Sequence, residues 1–167
     1  MYAIKGDYEK SIKTLKNGLE HHPRFGSFYH NIGNIYHLNL GDLEQGREWY
    51  EKAIQVEPKN WLYFFHLGML LNDQGKIEDA VVHLSESIQL KETFQARYQI
   101  ANLLFSLGKY NDAIFSYRKS LQLNPAHVES SFALANALFV VSSAPPNNFL
   151  TYPFFFYKIF PHFLTKN

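Results

Sequence analysis

The stretch GKIEDAVVHLSESIQLKE, residues 75–92, aligns without a gap with GKYNDAIFSYRKSLQLNP, residues 108–125. Gly6–Pro23 and Gly41–Pro58 align in the same frame. The glycines that open the four stretches follow one another at intervals of 35, 34 and 33 residues. A regular period of this length is typical of proteins built from stacked structural repeats, because each repeat buries its apolar face only against its neighbours.

Each of these stretches has the pattern of one amphipathic helix. Apolar residues recur at steps of three and four, as at Ile77, Val81 and Leu84, which places them on one helix face. A proline ends three of the four stretches, and Glu92 stands in its place in the other one. Since proline cannot continue a helix, each stretch is predicted to form a helix that ends at this position.

The segments before the glycines also have a helical period, and each carries a small residue at its centre. These small residues are Gly33, Gly68, Ala101 and Ala135, and each of them follows an aliphatic residue. A small side chain at a fixed position allows two helix axes to approach closely. The sequence therefore predicts a pair of antiparallel helices in every repeat, joined by a turn at the glycine.

This pattern resembles the tetratricopeptide repeat (TPR) family. The residues that carry the resemblance are Leu67 and Gly68 on a first helix, Ala80 and Leu84 on a second helix, and the prolines that end neighbouring copies. The resemblance covers about residues 1–139. It implies an all-α fold, a right-handed α-solenoid of antiparallel helix pairs. The residues after the array have no helical period and are rich in proline and aromatic residues, so we expect an irregular C-terminal tail.

The phase of the repeats divides the chain into an array and a tail. One extra residue precedes Gly41, and we assign it to Leu40 in the loop. Because both ends of the array hold only part of a repeat, we expect the sequence to be a fragment of a longer array. The expected units are the array 1–139, with a partial first repeat 1–25, repeats at about 26–60, 61–93 and 94–127 and a half repeat 128–139, and the tail 140–167.

Composition and charge exclude several functions. The chain has 16 Lys and Arg against 15 Asp and Glu, a net charge of +1 and no basic stripe, so no nucleic-acid partner is expected. The absence of cysteine excludes thiolate catalysis and disulfides, and is consistent with a cytoplasmic location. The histidines lack the spacing of metal ligands, so no metal and no other cofactor is expected. The apolar stretch 149–164 contains two prolines and is shorter than a bilayer requires, so no membrane anchor is expected.

The resemblance implies that the first helices of successive repeats line a concave groove. Asparagine occupies the same position in three copies, and its amide offers a donor and an acceptor to the backbone of a bound peptide. Aromatic side chains and a methionine add adaptable apolar contacts. The residues that this register turns into the groove are His30, Asn34, His37, Phe65, Met69, Asn72, Tyr98, Asn102, Phe105, Phe132 and Asn136.

Some members of the family clamp the C-terminal carboxylates of heat-shock chaperones with Lys and Arg from the groove. None of the matching positions here carries a Lys or an Arg, so a chaperone tail is not an expected partner. These positions are His30, Asn34, His66, Gln95 and Gln99.

The expected function is a protein–protein interaction scaffold or adaptor, which binds a peptide or a helix of a partner protein in the groove. The alternative is the substrate-recruiting arm of a larger enzyme such as a protein O-GlcNAc transferase, whose TPR array precedes a sugar-nucleotide domain. A third interpretation, a structural subunit of a large assembly, differs only in the number of partners. No catalytic motif is present in the chain, so we expect no enzymatic activity from it.

Overall fold

A computed structural model of the chain describes residues 2–143, with side chains from Asp7 onward. This part of the chain is entirely helices and short turns, which confirms the all-α prediction. The helices are α1 (Tyr2–His21), α2 (Gly26–Asn34, continued by Ile35–Leu40), α3 (Leu43–Val56), α4 (Trp61–Asp73), α5 (Ile77–Leu90), α6 (Phe94–Ser106), α7 (Tyr110–Leu123) and α8 (Val128–Ser143).

The helices pack in the order in which they follow along the chain. Three hairpins, α2 with α3, α4 with α5 and α6 with α7, make the most extensive contacts. Each hairpin then packs on the next one, through α3 on α4, α5 on α6 and α7 on α8. The predicted solenoid of stacked helix pairs is therefore confirmed, and α2, α4, α6 and α8 are the first helices of their repeats.

Glycine is required at the turns within the three hairpins. Gly41, Gly75 and Gly108 have φ angles of 69°, 75° and 73°, a left-handed conformation that side chains with a Cβ rarely adopt. In this conformation the backbone N–H of Lys76 turns back and donates to the carbonyl oxygen of Leu71 at 2.9 Å. The N–H groups of Gln74 and Gly75 donate to the carbonyl oxygens of Leu70 and Asn72, so the last turn of α4 is capped as the chain reverses direction.

Gly6 does not form the fourth turn that its position in the repeat predicts. It lies inside α1, which runs without interruption from Tyr2 to His21. Continuing α1 adds one backbone hydrogen bond for each residue, which offsets the cost of about 1 kcal/mol for glycine within a helix.

The extra residue before Gly41 lies in the helix and not in the loop as predicted. Residues Ile35–Leu40 form a π-helical continuation of α2, in which the turns are one residue wider than in an α-helix. The N–H of Asp42 consequently donates to Tyr36, six residues back, whereas Lys76 reaches five residues back to Leu71. The wider turns accommodate Leu40 while the turn at Gly41 is retained.

The small residues of the first helices lie where the second helices come closest. A Cβ atom built on Gly33 would be 2.6 Å from the ring of Tyr50, and one on Gly68 would be 2.8 Å from Leu84. Ala101 is fully buried at the equivalent position of α6. Small and large residues thus alternate across each hairpin, as the sequence predicts, and any larger side chain at these positions would separate the helices.

Two buried serines on the second helices form hydrogen bonds to the first helices of their own repeats. Ser87 donates to the carbonyl oxygen of Trp61, and Ser120 donates to that of Phe94, each at 2.9 Å. Both acceptors are the first residue of the first helix in the same repeat. Since both hydroxyls are buried, these bonds fix the start of α4 and of α6 against its partner helix.

The last described helix is longer than the predicted half repeat. It continues to Ser143, past residue 139, because the first helix-breaking proline after it is Pro145. On this helix Leu134 packs on the cluster around Ala101, whereas Leu138 is 40% exposed. The tail beyond Ser143 lies outside the described residues.

No helix within residues 2–143 combines the length and the apolar character needed to cross a bilayer. The apolar stretch 149–164, for which we expected no membrane anchor, lies outside this range.

Ala80→Leu should lower the free energy of unfolding by about 1–3 kcal/mol, because Ala80 is fully buried at the contact between α4 and α5. Glu78→Gln on the exposed face of α5 is the control, with an expected change within about 0.5 kcal/mol. Urea unfolding followed by circular dichroism measures both. Equal stabilities of the two variants would show that the assigned packing of α5 is wrong.

Candidate functional site

The first helices α2, α4, α6 and α8 hold equivalent places in successive repeats, and the side of these helices that carries the eleven predicted groove residues is here called the inner face. Its predicted residues differ in exposure. His30 and His37 are buried, each 6% exposed, and Phe132 is 60% exposed. The remaining eight are partly exposed, namely Asn34, Phe65, Met69, Asn72, Tyr98, Asn102, Phe105 and Asn136.

A pair of histidines joins α2 to α4 beneath the inner face. His30 Nε2 lies 2.6 Å from His66 Nδ1, and the two rings stack at 4.8 Å between centroids. Burial lowers the pKa of each ring to about 4, and for His66 the neighbouring His30 and His37 rings act in the same direction. Both rings are therefore neutral near pH 7 and share one hydrogen between these nitrogen atoms.

A second contact between α2 and α4 lies further along the two helices. His37 Nε2 donates to Asp73 Oδ2 at 2.8 Å, and His37 Nδ1 lies 3.3 Å from the Tyr50 hydroxyl. The side chain of His37 is almost fully buried, whereas that of Asp73 is 49% exposed. The buried ring thus holds a carboxylate that faces solvent.

Tyrosine hydroxyls of the second helices fix two of the inner-face asparagines. Tyr50 donates to Asn34 Oδ1 and Tyr117 donates to Asn102 Oδ1, both at 2.7 Å. Burial raises the pKa of both tyrosines, so the hydroxyls keep their hydrogens at physiological pH. The oxygen of each amide, which we expected to bind a peptide, thereby already accepts one hydrogen bond within the array.

The middle hairpin shows why tyrosine and asparagine occur together. Its second helix has Leu84 where the other two have tyrosine, and its first helix has Met69 where the others have asparagine. A buried hydroxyl requires an acceptor, whereas a leucine packs best against an apolar side chain. The repeated asparagine therefore has a structural role in addition to any role in binding.

Aromatic rings continue the inner face towards α8. Phe65 contacts the edge of His66 at 5.4 Å between centroids, and Phe105 contacts Tyr110 at 5.1 Å. Tyr98 lies 5.0 Å from His127, just before α8. These contacts hold the rings in place while part of each inner-face ring remains exposed.

Neither catalytic nor metal-binding geometry is found in the described residues. His127 Nδ1 lies 2.7 Å from Ser130 Oγ, and His127 Nε2 lies 3.3 Å from Glu129, which brings together the residue types of a hydrolase triad with the two ring nitrogens exchanged. Ser130 is fully buried, however, and its own N–H donates to His127 Nδ1, so the ring caps the start of α8. Within residues 7–143 no three His, Asp or Glu side chains are arranged to hold a metal ion.

Sequence reasoning did not assign His66, Asp73, Tyr50 or Tyr117 to the candidate site. The aligned repeats do show that an asparagine on the first helix occurs with a tyrosine on the second helix, and that Met69 occurs with Leu84. No pattern in the sequence showed that His30 would face His66, because that contact depends on how one hairpin sits on the next.

The histidine pair should make stability depend on pH. Below the unfolded pKa of 6.5 the unfolded chain binds protons before the folded chain does, so stability falls from about pH 6.5 towards pH 4. The loss is at most about 1.4 kcal/mol per pH unit for each ring. Urea unfolding at pH 7 and pH 5 should show a smaller loss for the double variant His30→Asn/His66→Asn than for the wild type.

The matched control for this experiment is His22→Asn, since His22 is exposed near the end of α1. It should show the same pH dependence as the wild type. An unchanged pH dependence in the double variant would contradict the assignment of the buried pair.

The tyrosine–asparagine pair can be tested by a double-mutant cycle. Tyr117→Phe should cost about 1 kcal/mol, and Asn102→Met about 1–3 kcal/mol, because each leaves one polar group without its partner. The double variant should cost about 1 kcal/mol less than the sum, since it makes an apolar pair like that of Met69 and Leu84. Thermal unfolding measures the cycle, and strict additivity would contradict the hydrogen bond.

Comparison with known proteins finds matches to one protein family. Models described as "Tetratricopeptide repeat" match residues 26–60, 49–82 and 94–127, which together cover more than half of the chain. The DnaJ homolog subfamily C member 3 of Gallus gallus is 27% identical over 96 residues, 58% of this chain and 19% of the relative. The small glutamine-rich tetratricopeptide repeat-containing protein 2 of Mycosarcoma maydis is 26% identical over 112 residues, 66% of this chain and 32% of the relative. The chain thus spans between a fifth and a third of the length of these relatives.

Solved structures show the same fold. MamA superimposes with a TM-score of 0.74 at 20% identity, over 83% of this chain and 81% of MamA. The first TPR of Spaghetti (RPAP3), bound to the HSP90 peptide SRMEEVD, has a TM-score of 0.68 at 19% identity, over 71% of this chain and 94% of its own. YrrB, a TPR protein with an unusual peptide-binding site, has a TM-score of 0.69 at 19% identity, over 84% of this chain and 72% of YrrB.

Three findings now agree: the 34-residue phase of the sequence, the stacked hairpins of the structure, and the matches to family models and solved folds. The chain belongs to the tetratricopeptide repeat family.

Proposed function

We propose that the inner face binds a peptide segment or a helix of a partner protein, and that the chain is a non-enzymatic interaction scaffold. The observation that carries this proposal is a row of partly exposed aromatic, methionine and amide side chains on adjacent first helices, as at Phe65, Met69 and Tyr98. Such side chains are typical of the anchoring residues of protein interfaces.

The contacts beneath these residues support the proposal. His30 with His66, and His37 with Asp73, hold α2 against α4, and the buried Tyr50 lies between these two contacts. A face that is already ordered loses little conformational entropy when a ligand binds, so moderate contacts can produce useful affinity.

The inner-face amides favour the backbone of a peptide as part of the ligand. Because Tyr50 and Tyr117 occupy the acceptor oxygens of Asn34 and Asn102, the remaining polar group of each amide is its Nδ2 donor. A peptide carbonyl is the matching acceptor, and it is present in every partner sequence. We therefore propose that these amides contribute affinity independent of sequence, while the aromatic rings and Met69 select side chains.

The solved neighbours support peptide binding in general but not the same ligand. One of them is bound to an HSP90 peptide that contains three acidic residues, and another has an unusual peptide-binding site. In this chain the buried His30 and His66 are neutral near pH 7, and the positions matching a chaperone clamp carry no Lys or Arg. We propose that chaperone tails are not partners, because a carboxylate would find no fixed cation there.

The proposal is tested by panning a random peptide library displayed on phage against the purified chain. Peptides should be recovered, and their binding, measured by fluorescence polarisation, should weaken about tenfold or more in the variant Tyr98→Ala/Asn72→Ala, which removes anchors from the inner face. The matched control Phe115→Ala/Val82→Ala removes exposed apolar side chains from the second helices and should bind as the wild type does. Equal weakening in both variants, or recovery of no peptides, would contradict the proposal.

A further inference from the structure

The first helices carry almost no positive charge. Within α2 and its continuation, α4, α6 and α8, the single Lys or Arg is Arg97, and its guanidinium is paired with Glu92 at 2.6 Å. The other Lys and Arg side chains of residues 7–143 lie on α1, on the second helices or in turns. A ligand on the inner face therefore meets no unpaired fixed cation from these helices.

Asp73, at the C-terminal end of α4, is an exposed carboxylate on the first helices. Its side chain is half exposed, and the His37 ring donates a hydrogen bond to it, with Nε2 2.8 Å from Oδ2. Asn72 Nδ2 lies 3.5 Å from the other carboxylate oxygen. The carboxylate is thus held in one orientation by a buried ring, and it remains open to a ligand on its exposed side.

The position of Asp73 within α4 is unfavourable for a carboxylate. It is the last residue of the helix, where the backbone carbonyl groups already make a negative end. A cation bound at this point would interact favourably with both the carboxylate and the helix terminus. Met69 lies one turn earlier on the same face, so an apolar side chain could bind directly beside that cation.

We infer that the ligand of the inner face is a basic, apolar peptide segment: its Lys or Arg binds Asp73, and its neighbouring apolar side chains contact Met69 and the aromatic rings. This inference rests on the proposed function and adds the chemistry of the partner. An acidic segment is disfavoured, because it would place its carboxylates near Asp73 without a compensating cation. His30 and His66 are neutral near pH 7, so they add no positive charge that could attract an acidic segment.

The test uses the same peptide library, and the readout is the composition of the selected peptides. Peptides selected on the wild type should be enriched in Lys and Arg beside apolar residues. Selection on Asp73→Lys should lose this enrichment and favour Asp and Glu. The matched control is Glu48→Lys, which makes the same charge change at an exposed position of the second helix α3 and should leave the wild-type enrichment intact.

A second measurement keeps the inference testable if Asp73→Lys folds poorly. One selected basic peptide is titrated into the wild type and into Asp73→Asn, which keeps the size and polarity of the side chain. Affinity should fall about tenfold in the variant. The salt dependence of binding should also become weaker, since one ion pair is lost. Thermal unfolding of both proteins checks that the fold is retained.

The possible outcomes separate this inference from the proposed function. Peptides that depend on Tyr98 and Asn72 but show no enrichment in Lys or Arg would overturn the inference and leave peptide binding standing. Equal affinities of the wild type and Asp73→Asn for the basic peptide would overturn it as well. Failure to recover any peptide that depends on the inner face would instead overturn the proposed function.

Discussion

The close approach of the two helices in each hairpin is the constraint on which the rest of the structure depends. At Gly33 and Gly68 the space normally filled by a Cβ atom is taken by Tyr50 and Leu84 of the partner helix. This contact aligns the first helix with the second one, and the stacking of hairpins then brings α2 and α4 into contact through His30 with His66 and His37 with Asp73. An array with wider hairpins would lose both its core and the register of its inner face, because interiors tolerate little change in volume.

Buried polar groups extend this constraint from the core to the inner face. Tyr50 packs against Gly33, and its hydroxyl donates to Asn34 and also lies near His37, which holds Asp73 on the next repeat. The core contact of Tyr50 with Gly33 is thereby connected, through the side chain of His37, to the solvent-exposed carboxylate of Asp73. Such networks are stable only when each member has a partner, so a change at one residue affects the others.

The distribution of charge gives the inner face its proposed selectivity. Lysine and arginine occur on α1, on the second helices α3 and α7 and in the turns, and the chain as a whole is almost neutral. The first helices lack them, apart from the paired Arg97, and burial keeps the His30 and His66 rings uncharged near neutral pH. The balance of charge over the whole chain therefore differs from the charge that a ligand on the inner face would meet.

The sequence alone determined the repeated helix pairs, because glycine at a left-handed turn, small residues at helix contacts and proline after a helix are local requirements that recur at a fixed spacing. It also predicted which residues of the first helices share a face, since such a prediction needs only helical periodicity. The structure decided that Gly6 lies within a helix, that Leu40 is absorbed by wider helical turns, and that His30 faces His66 while His37 holds Asp73. These features could not be read from local patterns, because they depend on how residues about 36 positions apart meet when one hairpin packs on the next.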